Sequence, residues 1–166
     1  MNSPVKNSIQ KKIMPLQKAV ALRTQWKQQG QKVVFTNGVF DILHAGHIQS
    51  LGSARDCGDR LIIGLNADAS VKRLKGESRP IIGQQDRARL LAALFFVDAV
   101  IFFEEDTPVK LIEALLPDVL VKSADYSMDN IAGAKEVIAS GGEVKIMPFV
   151  EGLSTTKIID KIVHGS

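Results

Sequence analysis

The chain has 166 residues, 45% hydrophobic and 23% charged, with a net charge of +3. That length suits one domain with a real core, and the mild positive excess fits phosphate ligands while falling far short of a nucleic-acid-binding tail. Aromatics at 5% are too sparse for a base-stacking surface, and the longest apolar stretch, Leu90 to Phe103, is broken by Asp98, so neither a nucleic-acid nor a membrane partner is expected.

Residues 1–14 mix Lys, Asn, Gln and Ser without an apolar core and read as a flexible N-terminal segment with no secretion signal. The domain itself is expected over 15–166. Leu16, Ala19, Val20, Leu22 and Trp26 have helical spacing, and Gly30 stops that helix. Val33-Val34-Phe35 reads as a buried strand running into the turn Thr36-Asn37-Gly38. The next helix opens around His44 to His47 and runs to about Cys57, before Gly58. Cys57 is the one cysteine, which excludes an internal disulfide and points to a reduced, cytoplasmic setting. Leu61 to Leu65 is a second buried strand, and the polar, basic stretch from Ala67 to Gly83 reads mostly as loop. A helix over Gln84–Phe95, a strand over Ala99–Phe103 and a helix over Thr107–Leu115 follow, the last with Pro108 in its first turn. Then come a strand at Val119–Val121, a helix over Asn130–Ala139, a strand at Val144–Met147 and a last helix from near Ser154 to near Val163.

Alternating helices and strands, the strands apolar on both faces, predict an α/β fold: a Rossmann-like doubly wound parallel sheet with helices on both faces. Such sheets bind ligands beyond the carboxyl ends of their strands. The places to look are just after Phe35, Leu65, Val121 and Met147.

Two of the three histidines, His44 and His47, stand at the predicted helix start that follows the first strand. Imidazoles three residues apart share a helix face. The helix tip adds unpaired N–H groups, and Gly46 lets a phosphate approach the backbone, so a polyphosphate site is expected here, against the plainer reading of two capping or core histidines. No third His or Cys accompanies the pair, so no metal site is expected there. Ser154, Thr155 and Thr156 open the last helix; capping needs one hydroxyl, and three suit phosphate oxygens. Lys72, Arg73, Lys75 and Arg79 form a basic cluster opposed only by Glu77.

His44-Ala45-Gly46-His47 resembles the His-x-Gly-His signature of a nucleotidyltransferase superfamily that includes cytidylyltransferases and pantetheine-phosphate adenylyltransferases. The longer run from Thr36 to His47 resembles its cytidylyltransferase-like branch. Together with Lys72 to Gly76, Ser78-Arg79-Pro80, Phe103 to Pro108 and Ser154-Thr155-Thr156, it is similar to the bacterial heptose 1-phosphate adenylyltransferases. That group occurs alone or as the C-terminal part of a two-domain protein with a sugar kinase, and a stand-alone form is expected here.

The resemblance implies transfer of AMP from ATP to D-glycero-β-D-manno-heptose 1-phosphate, with Mg²⁺ carried on the triphosphate. It implies that His44, His47 and Lys75 or Lys72 serve the phosphates. Thr36, Asn37, Gly38, Phe40, Gly46, Arg87, Ser154, Thr155 and Thr156 would line the nucleotide. Asp41, Asp68, Arg79, Asp125 and Tyr126 would meet the acceptor. The chain departs from the group at Lys122-Ser123-Ala124-Asp125-Tyr126, where two glycines usually stand between Lys and Asp. A glycerol-3-phosphate cytidylyltransferase is the nearest rival, although Phe149 replaces an arginine of that group. A nucleotide sensor without turnover is the competing class. A homodimer or larger homo-oligomer is expected.

Overall fold

A computed structural model of the chain describes residues 3–123, 130–148 and 154–165. Five parallel strands form one sheet: β1 (Val33–Gly38), β2 (Arg60–Asn66), β3 (Ala99–Phe103), β4 (Val119–Ser123) and β5 (Glu143–Met147). Their order is β3-β2-β1-β4-β5, so the chain winds outward from β1 in one direction and then in the other. Alternate strand residues enter two separate cores. Val33, Phe35, Ile62 and Ile101 face one, with α2 (Leu16–Gln28), α6 (Val109–Leu115) and α7 (Ala134–Ala139). Val34, Leu61, Ile63 and Val100 face the other, with α3 (Ala45–Arg55) and α5 (Gln84–Ala93). This is the expected doubly wound sheet, and its strands are apolar throughout because both faces are covered.

The order reverses between β1 and β4. The ladder joins only Val34 to Val119 and Phe35 to Leu120 there, whereas β1 and β2 pair over six positions. A short ladder between strands whose connections leave on opposite sides opens a crevice at their carboxyl ends, the usual ligand position in such sheets.

Two stretches differ from the sequence expectation. Within the segment expected to be flexible, Pro4–Lys12 forms α1. Pro4 stands in its first turn, and Lys11 and Lys12 in its last turn suit the helix dipole. The segment is then tied down: Lys12 Nζ donates to Leu94 O at 3.1 Å, Ile13 bridges Val100, and Ile9 and Ile13 pack on the second core. Val5, Ile9 and Ile13, spaced by four among polar residues, form a pattern too short to read as a helix.

The second stretch is α4 (Asp68–Lys75), where a loop was expected. It buries only Ser70 and Val71, and most of its other side chains are polar and exposed. Asn66 Nδ2 donates to Ser70 Oγ at 2.9 Å, and Ser70 Oγ donates to Glu105 O at 3.2 Å, which satisfies the buried hydroxyl. Smaller shifts have local causes. Gly133 adopts φ +84°, so α7 begins at Ala134 rather than Asn130. Pro108 is the N-cap of α6. Cys57 lies partly buried in the turn after α3. The last helix, α8 (Thr155–His164), follows β5 and reaches His164.

Candidate active site

His44 is the N-cap of α3, and its side chain makes no capping bond. Its ring stacks on that of His47, with centroids 3.9 Å apart and planes 24° from parallel. Nδ1 of each ring is buried and has no hydrogen-bond partner among the described residues, so the pair is not spent on holding the helix start. Burial, and to a lesser extent the neighbouring His44, push the His47 imidazole down to about 4. Burial also lowers His44. Both rings are therefore neutral near pH 7 and can donate an N–H without carrying charge.

The turn that leads from β1 to α3 is held from the opposite side. Asp41 is 2% exposed. Its carboxylate accepts from Arg79 Nε at 2.5 Å, Ile81 N at 2.8 Å and Ile82 N at 2.9 Å. Arg87 is 1% exposed and gives each of its three side-chain nitrogens to the protein. Nε donates to Ile82 O at 2.9 Å, Nη1 to Val39 O at 2.5 Å and Nη2 to Asp68 Oδ1 at 2.6 Å. The backbone N–H of Asp68 also bonds Gln84 Oε1 at 2.8 Å. Arg87 and Asp41, expected from the sequence to meet nucleotide and acceptor, are both enclosed here and brace the turn. Asp68 and Arg79 each give part of their bonding capacity to the same brace and remain partly exposed.

Phe40 lies within the braced turn at φ +47°. That left-handed region costs a residue with a Cβ about 1–2 kcal/mol. Its ring meets His47 edge-on, with centroids 5.3 Å apart. Thr36, Asn37 and Gly38 form the carboxyl end of β1, and Gly46 is buried in the first turn of α3. Lys122, which sequence reasoning missed, is 6% exposed at the end of β4, and its Nζ donates to Asn37 Oδ1. This bond crosses the crevice between β1 and β4. The signal was present: a lysine directly after Val121, one of the strand ends marked as a ligand position.

The remaining candidates are not brought onto the histidines by hydrogen bonds or ion pairs among the described residues. Lys72 and Lys75 are exposed on the last turn of α4. Lys72 pairs with Glu77 at 3.7 Å, and Arg73 with Asp106 at 2.9 Å. Ser154 is the N-cap of α8, its Oγ accepting from Lys157 N at 3.1 Å, so one hydroxyl of three does the capping. Asp125 and Tyr126 lie outside the described residues.

The cytidylyltransferase-like family model matches residues 35–161. The chain is 53% identical to the bifunctional protein HldE of Koribacter versatilis over 92% of its own length and 31% of that protein's. It is 57% identical to HldE of Yersinia enterocolitica over 90% of its length and 31% of that protein's. The chain thus spans about three tenths of these relatives. Among solved structures, a lipopolysaccharide core biosynthesis protein from Thermoplasma volcanium superposes with a TM-score of 0.60 at 31% identity, over 73% of this chain and 98% of that one. Pantoate-beta-alanine ligase from Francisella tularensis shares the fold at a TM-score of 0.59 and 16% identity, over 92% of this chain and 77% of that one.

Proposed function

The chain belongs to the cytidylyltransferase-like family, and on that premise we propose that it is an adenylyltransferase. It joins AMP from ATP to D-glycero-β-D-manno-heptose 1-phosphate, releasing pyrophosphate and giving ADP-heptose for lipopolysaccharide core or a related bacterial surface glycan. The observation that carries this reading is the stacked, neutral imidazole pair at the α3 tip, beside the crevice between β1 and β4. The similarity to HldE proteins and to a lipopolysaccharide core biosynthesis protein supports the choice of acceptor.

The acceptor phosphate is already anionic and needs no general base. One of its oxygens attacks the α-phosphorus of ATP, a new P–O bond forms, and the bond to the bridging oxygen breaks as pyrophosphate leaves. The protein's part is positioning and charge stabilisation. His44 and His47 donate N–H bonds to phosphate oxygens, helped by the α3 N-terminus. Lys75 or Lys72 offsets the charge on the departing pyrophosphate. Lys75, which makes no ion pair among the described residues, is the stronger candidate, since Lys72 is already paired with Glu77. Thr36, Asn37, Gly38, Gly46, Thr155 and Thr156 line the nucleotide, Asn37 with its amide fixed by Lys122. Asp125 and Tyr126 meet the acceptor.

Mg²⁺ would be held by the triphosphate's own oxygens and water. The side chains fit that arrangement, because Asp41 and Asp68 beside the turn are already bound by Arg79 and Arg87. When bound, the cation supplies charge neutralisation on the phosphates. No helix among the described residues is long and apolar enough to cross a membrane. A cytoplasmic site, with its ATP supply, suits the reaction. A homodimer or larger homo-oligomer is part of the reading, supported by Ile162 and Val163 of α8, which are 74% and 66% exposed.

The test is pyrophosphate release with ATP and CTP in parallel, each against heptose 1-phosphate, other sugar 1-phosphates and glycerol 3-phosphate. Turnover with ATP and heptose 1-phosphate above the other pairs is the expected result. Preference for CTP with glycerol 3-phosphate would overturn base and acceptor together. Nucleotide binding without turnover on any acceptor would make the chain a sensor.

A further inference from the structure

The backbone on both sides of Phe40 is pinned. Arg87 Nη1 holds Val39 O at 2.5 Å, and the Asp41 carboxylate holds Arg79, Ile81 and Ile82. Between these anchors Phe40 adopts φ +47°. Its ring folds back over Gly38, where an added Cβ would lie 2.9 Å from Phe40 Cε2. The same ring meets His47 at an interplanar angle of 66°. His47 in turn stacks on His44. An unfavourable backbone angle, a glycine that makes room and an enclosed arginine thus converge on one aromatic ring.

We propose that Phe40 is a positioning residue for the imidazole pair: Arg87 and Asp41 hold its backbone in the left-handed conformation, and its ring fixes His47 against His44. In this account Phe40 acts through His47 and not by touching substrate. The catalytic half rests on the adenylyltransferase reading above. The structural half does not, because the ring geometry exists without substrate.

The experiment follows the His47 imidazole by side-chain NMR in the full chain without nucleotide, over pH 3.5 to 8. The variants are Phe40→Gly, Phe40→Tyr and Gly38→Ala. Glycine accepts the positive φ, so Phe40→Gly removes the ring without demanding a new backbone path. Gly38→Ala keeps the ring and the brace but pushes the ring aside. His47 faces the Phe40 ring and His44; among the described residues, His44 is the titratable group that lowers its midpoint alongside burial. In the wild type His47 titrates near 4. Phe40→Gly and Gly38→Ala raise that midpoint by about one unit or more as water reaches the ring, and Phe40→Tyr keeps it near the wild-type value. In turnover, Phe40→Gly lowers kcat on the order of tenfold to a hundredfold while KM for ATP changes little.

An unchanged His47 midpoint in both Phe40→Gly and Gly38→Ala overturns the proposal, whatever the activity. If the wild type releases no pyrophosphate but the midpoints shift as described, the adenylyltransferase reading falls and the positioning role of Phe40 stands. A shifted midpoint with unaltered kcat removes the catalytic half alone.

Discussion

At the scale of residues, the proposed function concentrates in two imidazoles that their surroundings keep uncharged. A neutral pair can sit in stacked contact, whereas two imidazolium ions would repel each other at that distance. His44→Ala and His47→Ala should each lower pyrophosphate release about 10²–10³-fold while thermal unfolding stays near wild type. Near-normal turnover in both would remove the assignment.

The pair also sets a pH dependence. His47 titrates near 4 in the folded chain and near 6.5 when unfolded. Between those values the unfolded chain binds the extra proton, so stability is intact above about 6.5 and declines as pH falls through the window. Urea midpoints at pH 5 and pH 7 should differ in that direction, and the difference should shrink in His47→Gln.

The histidines were legible in the sequence because their spacing is local and a strand precedes them. The brace was not. Asp41 and Arg79 are 38 positions apart, and Val39 and Arg87 are 48 apart, so no local pattern links them. Asp41 with Arg79 and Asp68 with Arg87, expected individually as ligand contacts, are also paired with each other.

Among the elements, the strands were easy to read because burial on both faces leaves unbroken apolar runs. Ala99–Phe103 matched the expected boundaries. The helices α1 and α4 were missed for the opposite reason: each is short and mostly exposed, α1 burying no residue and α4 only Ser70 and Val71. Strand starts depend on polar anchors that sequence does not advertise. Asp118 Oδ2 accepts the N–H of Val33 at 2.8 Å, and its Oδ1 meets Arg23 at 3.3 Å. Asp118→Ala leaves the β1 start without its partner and should cost about 1–3 kcal/mol in chemical denaturation. By contrast, α8 has a strongly apolar side yet no buried residue. Ile162→Asn should change stability by no more than about 0.5 kcal/mol in a monomer. A larger loss, or a change of mass in solution, would mark that side of α8 as an interface between copies.

For the molecule as a whole, the fold and the location proposed for the site follow from one rule. Alternating apolar strands and helices require a parallel sheet with covered faces, and reversal of strand order puts a crevice beside β1. The sequence reading reached that architecture and named strand ends to inspect. It could not supply the β1–β4 neighbourhood, because nothing local pairs Asn37 with Lys122.

The central claim is that the triphosphate binds where the end of β1 meets the tip of α3. A crystal structure with a non-hydrolysable ATP analogue and Mg²⁺ tests it most directly. The account predicts phosphate oxygens within hydrogen-bond distance of the His44 and His47 rings and of the first N–H groups of α3. A phosphate chain seated elsewhere, such as the cleft lined by Lys27, Lys32 and Glu143 at the opposite ends of the strands, would contradict it.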